Sequence, residues 1–152
     1  MNQSDLITEI KSAMDRKGIV YRDVRALVLA FAAQESFIAK GQVTALAWKY
    51  HNPFGMKWNA ATDKGRYEFV DLPGNAFDQA EGLPEIRYRV YHSFDQAVEV
   101  FLKNIFSSGN EQRRTAFEEF AAECADSWCK NNAAHVREVM DRFRKVRKEM
   151  EG

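Results

Sequence analysis

Apolar residues recur along this chain with two different periods, and the change of period divides it into helical ends and a β-like middle. Leu6, Ile7, Ile10, Ala13 and Met14 fall at helical spacing behind Ser4, a candidate N-cap, and Lys17-Gly18 supplies a stop, so the first element is an amphipathic helix. From Arg22 to about Ala39 the pattern loses its polar face: Val24, Leu27, Val28, Leu29, Ala30, Phe31, Ala32 and Ala33 predict a central helix surrounded by protein, ended by Gly41. Thr44 to Tyr50 can add one or two turns before His51-Asn52-Pro53-Phe54-Gly55, where Pro and Gly break regular structure.

The period then falls to two. Arg66–Leu72 and Glu85–Tyr91 alternate, with Ile86, Tyr88 and Val90 on one face against Arg87, Arg89 and Tyr91 on the other, and predict a small antiparallel hairpin. Its connection, Pro73 to Pro84, is too long for a tight turn and carries Gly74, Asn75 and Gly82. Helical spacing returns at Ser93-Phe94-Asp95-Gln96, a capping box, followed by the stripe Phe94, Ala97, Val98, Phe101, Ile105. Phe117, Phe120, Ala121, Cys124 and Trp128 mark a further helix, and Val136, Val139, Met140, Phe143 and Val146 a last one. The expected architecture is mostly α (α+β): one domain over residues 1–152, with a small antiparallel β-hairpin lobe at about 59–92.

Composition narrows the chemistry. At 152 residues and 45% apolar content the chain can bury a core without staples. Twenty-two basic residues against twenty-two acidic leave no global field to draw it onto nucleic acid or a membrane. The longest apolar stretch, Ala26 to Ala33, falls far short of the roughly 20 residues of a membrane span, so no membrane insertion is expected. No basic stretch followed by an apolar run opens the chain, which predicts synthesis in the cytoplasm and action elsewhere only after export or lysis. His51, His92 and His135 lack metal-ligand spacing, Cys124 and Cys129 are too few for a zinc site or a disulfide framework, and no phosphate loop or dinucleotide fingerprint is present. Neither metal nor cofactor is expected. Residues 137–148 carry six basic side chains against Glu138 and Asp141: a solvated helix face, or an attraction for anionic polymer.

Glu35 breaks the pattern. It ends the most apolar helix, with Phe31 and Ala32 a turn before it and Ile38 three residues after it on the same expected face. Two readings compete. A Glu near a helix end commonly turns outward or pairs with a cation such as Lys40. A carboxyl held among apolar neighbours instead shifts its pKa upward and keeps its proton near neutral pH, which prepares it to act as a general acid.

The residues around Glu35 resemble a known family. Ala32-Ala33-Gln34-Glu35-Ser36, then Lys40, then Lys49-Tyr50-His51-Asn52-Pro53-Phe54-Gly55-Met56-Lys57 resembles the signature of peptidoglycan N-acetylglucosaminidases, glycoside hydrolase family 73. There an alanine-rich helix ends in Glu-Ser and leads to an Asn-Asn-Leu-Phe-Gly-Ile-Lys-type loop. Arg87-Tyr88-Arg89-Val90-Tyr91-His92-Ser93 is similar to the family's Phe-Arg-x-Tyr-x-Ser segment, and Trp128 to Val139 is loosely similar to its Tyr-Ala-x-Asp-Pro-x-Tyr-Ala stretch. Two positions depart: Phe37-Ile38-Ala39 replaces the usual Gly-Trp-Gly, and the family's tyrosine falls on Trp128, which can stack on a sugar but cannot move a proton. The pattern resembles a divergent, phage-like branch, as in an endolysin.

The resemblance implies a lysozyme-like helical fold with a β lobe and hydrolysis of β-1,4 bonds in bacterial peptidoglycan, with Glu35 as proton donor. It also implies a second carboxylate on the hairpin, Asp71 or Asp78, with Glu68 and Glu81 behind them. Aromatic residues outside the helical stripes, Phe54, Trp58, Tyr67 and Tyr91, are candidates to pack on sugar rings, and Asn52 and Lys57 to bond sugar hydroxyls. For Asn52 the alternative is a side chain that braces its own turn. The expected partner is the glycan strand of peptidoglycan, and the expected state a monomer. A lytic transglycosylase, or a degenerate module that binds glycan or protein without cutting, are the other functions this pattern allows.

Overall fold

The computed structural model describes residues 1–74, 76–105 and 133–151. Helix α1 (Gln3–Arg16) buries Leu6, Ile10, Ala13 and Met14, the predicted stripe. Its cap is Asn2 and not Ser4: the Asn2 side chain accepts from the Asp5 N–H at 2.8 Å, and the Asp5 carboxylate accepts from the Asn2 N–H at 3.2 Å. Starting earlier gives the helix a reciprocal capping box, which Ser4 could not form with Ile7 three residues on.

Helix α2 (Arg22–Ser36) is the central element, buried from Ala26 through Ala33. It stops at Ser36, three residues before the sequence pattern suggested, because Phe37 turns extended and pairs with Val43 in an isolated bridge. A 3-10 turn (Ala39–Gly41) follows, in which Lys40 and Gly41 both take left-handed backbone, at φ 62° and 70°. Tertiary pairing thus overrides helix propensity at this end. Helix α3 (Ala45–Lys49) is capped by the Thr44 hydroxyl.

The β lobe comprises helix α4 (Ala60–Asp63), strand β1 (Glu68–Pro73), helix α5 (Ala76–Ala80) and strand β2 (Glu85–Val90). The strands pair antiparallel, with Val70 opposite Tyr88 and Asp71 opposite Arg87. The long connection contains α5 and closes on itself: the Gly74 N–H donates to Pro84 O and the Leu83 N–H to Asp78 O. A Cβ on Gly74 would lie 2.7 Å from the Asp78 Cβ and 2.8 Å from Leu83 O, so glycine is required there for space.

Helix α6 (Phe94–Ile105) starts at the predicted place, with the Gln96 N–H donating to the Ser93 hydroxyl. The Gln96 side chain reaches back one residue further than a regular capping box and accepts from the His92 N–H at 2.8 Å. Helix α7 (Ala133–Glu151) packs along α2, burying Val139, Met140 and Phe143. α1 packs on α6 and α2, and Arg16–Asp95 and Lys17–Glu99 ion pairs tie its end to α6. Phe31, Phe54 and Phe101 form the aromatic centre of the core, with Phe54 stacked on Phe101 at 4.2 Å. The helix predicted around Phe117 to Trp128, with Cys124 and Cys129, lies outside the described residues.

The architecture is therefore helical with a two-stranded antiparallel lobe, as the sequence pattern predicted. Among the described residues no helix is long and apolar enough to cross a membrane.

Candidate active site

Glu35 occupies the last turn of α2 and is half-buried. Phe31 and Ala32, a turn below it, are fully buried in the core. Ile38 does not join them: the helix has ended, and Ile38 is 51% exposed. The apolar enclosure expected of Glu35 is therefore built from one side only.

The opposite side is backbone. The loop after α3 brings Gly55 so close that a Cβ added there would lie 3.0 Å from Oε2 of Glu35. Gly55 also has φ of +65°, a region that side-chain-bearing residues enter at a cost, so the backbone favours glycine here and an added methyl group would also press on the Glu35 carboxylate. The loop is held from several directions. The buried Ser36 hydroxyl, one residue after Glu35, donates to Pro53 O at 2.6 Å. Phe54 is anchored in the core, and the Tyr91 N–H donates to Tyr50 O.

Asn52 explains the remaining rigidity. Its Nδ2 donates to Met56 O and Arg89 O, both at 2.9 Å, while its Oδ1 accepts from the Met56 N–H at 3.0 Å. The side chain is 1% exposed and spends three hydrogen bonds on backbone, so it braces the turn and fastens it to β2; it is not presented to a ligand. The same correction applies to Phe54, fully buried against Phe101, and to Tyr91, 1% exposed with its hydroxyl accepting from Nη1 of Arg89. These three are structural residues: burial removes the ring faces and amide that a sugar would need.

Residues 56–58 run along the free side of β2. The Arg89 N–H donates to Met56 O, the Trp58 N–H donates to Arg87 O, and Lys57 pairs with Tyr88. Residues opposed in such a bridge present their side chains to one face, so exposed Lys57 shares the face of Tyr88. Trp58 goes to the other face, where it meets Phe69 and the Arg87 guanidinium and donates from Nε1 to Tyr67 O. With Tyr67 it lines a shallow outer depression of the lobe, turned away from Tyr88.

That alternation also places one of the two candidate carboxylates. Asp71 lies on the outer face, ion-paired to Arg87 at 3.0 Å. Asp78 lies on α5, outside the strands; the Tyr88 phenol is held above its ordinary pKa first by burial and then by the negative charges of Asp78 and Glu35. Glu35 from the helical body and Asp78 from the β lobe thus act on one half-buried tyrosine, which keeps its proton well past neutral pH and can donate a hydrogen bond there. Of the residues held in reserve, Glu68 and Glu81 are exposed. Trp128 lies outside the described residues.

Sequence reasoning overlooked Tyr88, Gly55 and the lobe's own anchor. Tyr88 had a signal, its place on the same strand face as buried Ile86. The anchor is Asp63, whose carboxylate receives a two-pronged pair from Arg89, with both bonds at 2.9 Å, and further bonds from the Asn59 N–H and the Thr62 hydroxyl. Among the described residues no group of three potential metal ligands is gathered.

No family model matches the sequence, and no curated protein matches it. Among solved structures the chain is similar to the glycoside hydrolase domain of FlgJ from Salmonella typhimurium, at 16% identity over 99% of this chain and 92% of that one, with a TM-score of 0.57. A C-terminally truncated form of the same domain matches at 15% identity over 97% of this chain and 99% of that one, with a TM-score of 0.58. At these identities the likeness is one of fold: the chain has the α+β fold of a glycoside hydrolase domain.

Proposed function

We propose that the chain is a glycoside hydrolase that cleaves the β-1,4-linked glycan of bacterial peptidoglycan, on the N-acetylglucosamine side, with Glu35 as the general acid. The observation that carries this reading is the place of Glu35, half-buried at the end of the central helix α2, with Gly55 against its carboxylate in a loop that Asn52 fastens to strand β2. The fold shared with the FlgJ domain supports it, and so does the motif resemblance around Glu35.

In this reading Glu35, as general acid, gives a proton to the glycosidic oxygen as the C–O bond breaks. Positive charge grows on the anomeric carbon, and the Asp78 carboxylate opposes it, either directly or by steering water. Tyr88, kept neutral, donates to an oxygen of the sugar or to a carboxylate. Lys57, on the same face as Tyr88, would bond the substrate's carbonyl or carboxylate groups.

Three results test the proposal. Digestion of purified cell wall should release fragments with a reducing N-acetylglucosamine end by mass spectrometry; anhydro-muramic ends would instead assign a lytic transglycosylase, and glycan binding without cleavage a degenerate module. Asp78→Asn is expected to lower the lytic rate by about 10²-fold with an unchanged melting profile, whereas Asp71→Asn should keep activity within about twofold. Gly55→Ala is expected to cost about 1 kcal/mol of stability for its left-handed backbone, yet to depress activity by 10-fold or more, because its methyl group meets Oε2 of Glu35. A Gly55→Ala enzyme of full activity would show that the position of Glu35 does not matter.

A further inference from the structure

On the far side of α2 from Glu35 lies a second concavity, of about 310 Å³, enclosed by α1, α2 and α7. Leu29, Ala33 and Phe37 follow one another at four-residue spacing and form its apolar floor, with Leu29 and Ala33 only 2% and 5% exposed. Glu35, two positions from Ala33, points about 200° away around the helix, so this pocket is separate from the candidate active site.

Its rim is cationic. Lys11 from α1 and Arg142 and Lys145 from α7 line it, and no acidic side chain does among the described residues. Neither lysine has an ion-pair partner among the described residues. Arg142 is steadied by a neutral group, its Nε donating to Gln34 Oε1 at 2.9 Å, with its guanidinium 5.7 Å from the Phe37 ring. The nearby acids are turned to other work: Glu138 accepts from Gln34, and Asp141 faces Arg144. Three like charges around an apolar floor repel one another, and a bound anion removes that repulsion while its tail covers the floor.

We propose that this pocket is a binding site for a small amphiphilic carboxylate, a single alkyl chain ending in one carboxylate group. The volume lies at the low end of the range for small-ligand pockets, which favours one short chain over a peptide segment or a two-chain lipid. The carboxylate would take the fork of Arg142 together with the two ammonium groups, and the alkyl chain would lie along Leu29, Ala33 and Phe37.

The probe is sodium octanoate, titrated below its micelle concentration into the full chain and followed by calorimetry and by amide chemical shifts. Saturation at one site is expected, with the largest shifts at Leu29, Ala33 and Phe37. Acetate, which lacks the tail, and octyltrimethylammonium, which reverses the charge, should not saturate it. The double variant Lys11→Glu/Lys145→Glu alters two exposed side chains, leaves the core intact and should weaken octanoate at least 10-fold. Absence of saturation, equal binding of the cationic amphiphile, undiminished binding by the double variant, or shifts centred elsewhere would each overturn the assignment. None of these readouts depends on glycan cleavage.

Discussion

Glu35→Gln is expected to reduce wall lysis by about 10³-fold or more while the protein melts as before. The amide has the carboxyl's size and shape, so it fits against Gly55 as the carboxyl does. It keeps hydrogen-bonding capacity and loses only the proton that leaves with the glycosidic oxygen. Because Glu35 is half-buried and lies outside the aromatic centre of the core, the exchange removes no core packing. The measurements are turbidity loss of a cell-wall suspension and a thermal melt on the same preparation. Undiminished lysis would remove Glu35 from the mechanism, and a collapsed melt would show that its role is structural.

The second large effect concerns the β lobe. Asp63→Ala should destabilise the protein by about 3–5 kcal/mol, because it strands the Arg89 guanidinium in a half-buried setting and removes the acceptor that the Asn59 N–H and the Thr62 hydroxyl use. Arg89 also covers the Tyr67 ring at 4.5 Å and reaches the Tyr91 hydroxyl, so the loss spreads through the lobe that presents Tyr88 and Asp78.

Acid should produce a graded version of the same injury. Burial alone would push the Asp63 carboxyl upward, but hydrogen bonds from Arg89, the Asn59 backbone and Thr62 outweigh it and hold the group below the usual carboxylate range. A carboxyl whose pKa is lower folded than unfolded contributes stability that is complete above the ordinary aspartate value of about 3.9 and fades as pH falls through the native value. The stability gap between the native protein and Asp63→Asn should therefore be constant through neutral pH and close below about pH 4. A gap that widens in acid would contradict the ion-pair assignment.

Much of this was legible in one dimension wherever a local rule governed. The stripe of α1 and the stripe of α6 each name their buried residues, and the switch to period two locates both strands of the hairpin. Glu35 stood out for a physical reason, an acid at the end of the most apolar helix. Where local rules competed with pairing across the fold, the reading failed. α2 ends at Ser36 because Phe37 pairs with Val43, a contact whose benefit no window along the chain contains.

Aromatic and amide side chains failed differently. Phe54, Trp58, Tyr91 and Asn52 all sit where a loop reading would expose them to substrate, and composition cannot say which way a ring faces. Strand pairing decides it: Lys57 goes to the face of Tyr88, Trp58 to the reverse, and Asn52 is consumed by the turn. The same alternation puts Asp71 on the outer face beside Arg87, whereas Asp78 lies on α5 in the connection between the strands, where no strand period applies.

The sequence by itself determined α1, the body of α2, α6, α7, the hairpin and the acid that does not belong in an apolar helix, because hydrophobic periodicity and capping act over a few residues and are written locally. Only the tertiary structure decided what stands opposite that acid. Gly55 is distant from Glu35 along the chain, and its place beside that carboxylate is set by hydrogen bonds made by Ser36 and Asn52, which join segments a single-residue pattern cannot connect.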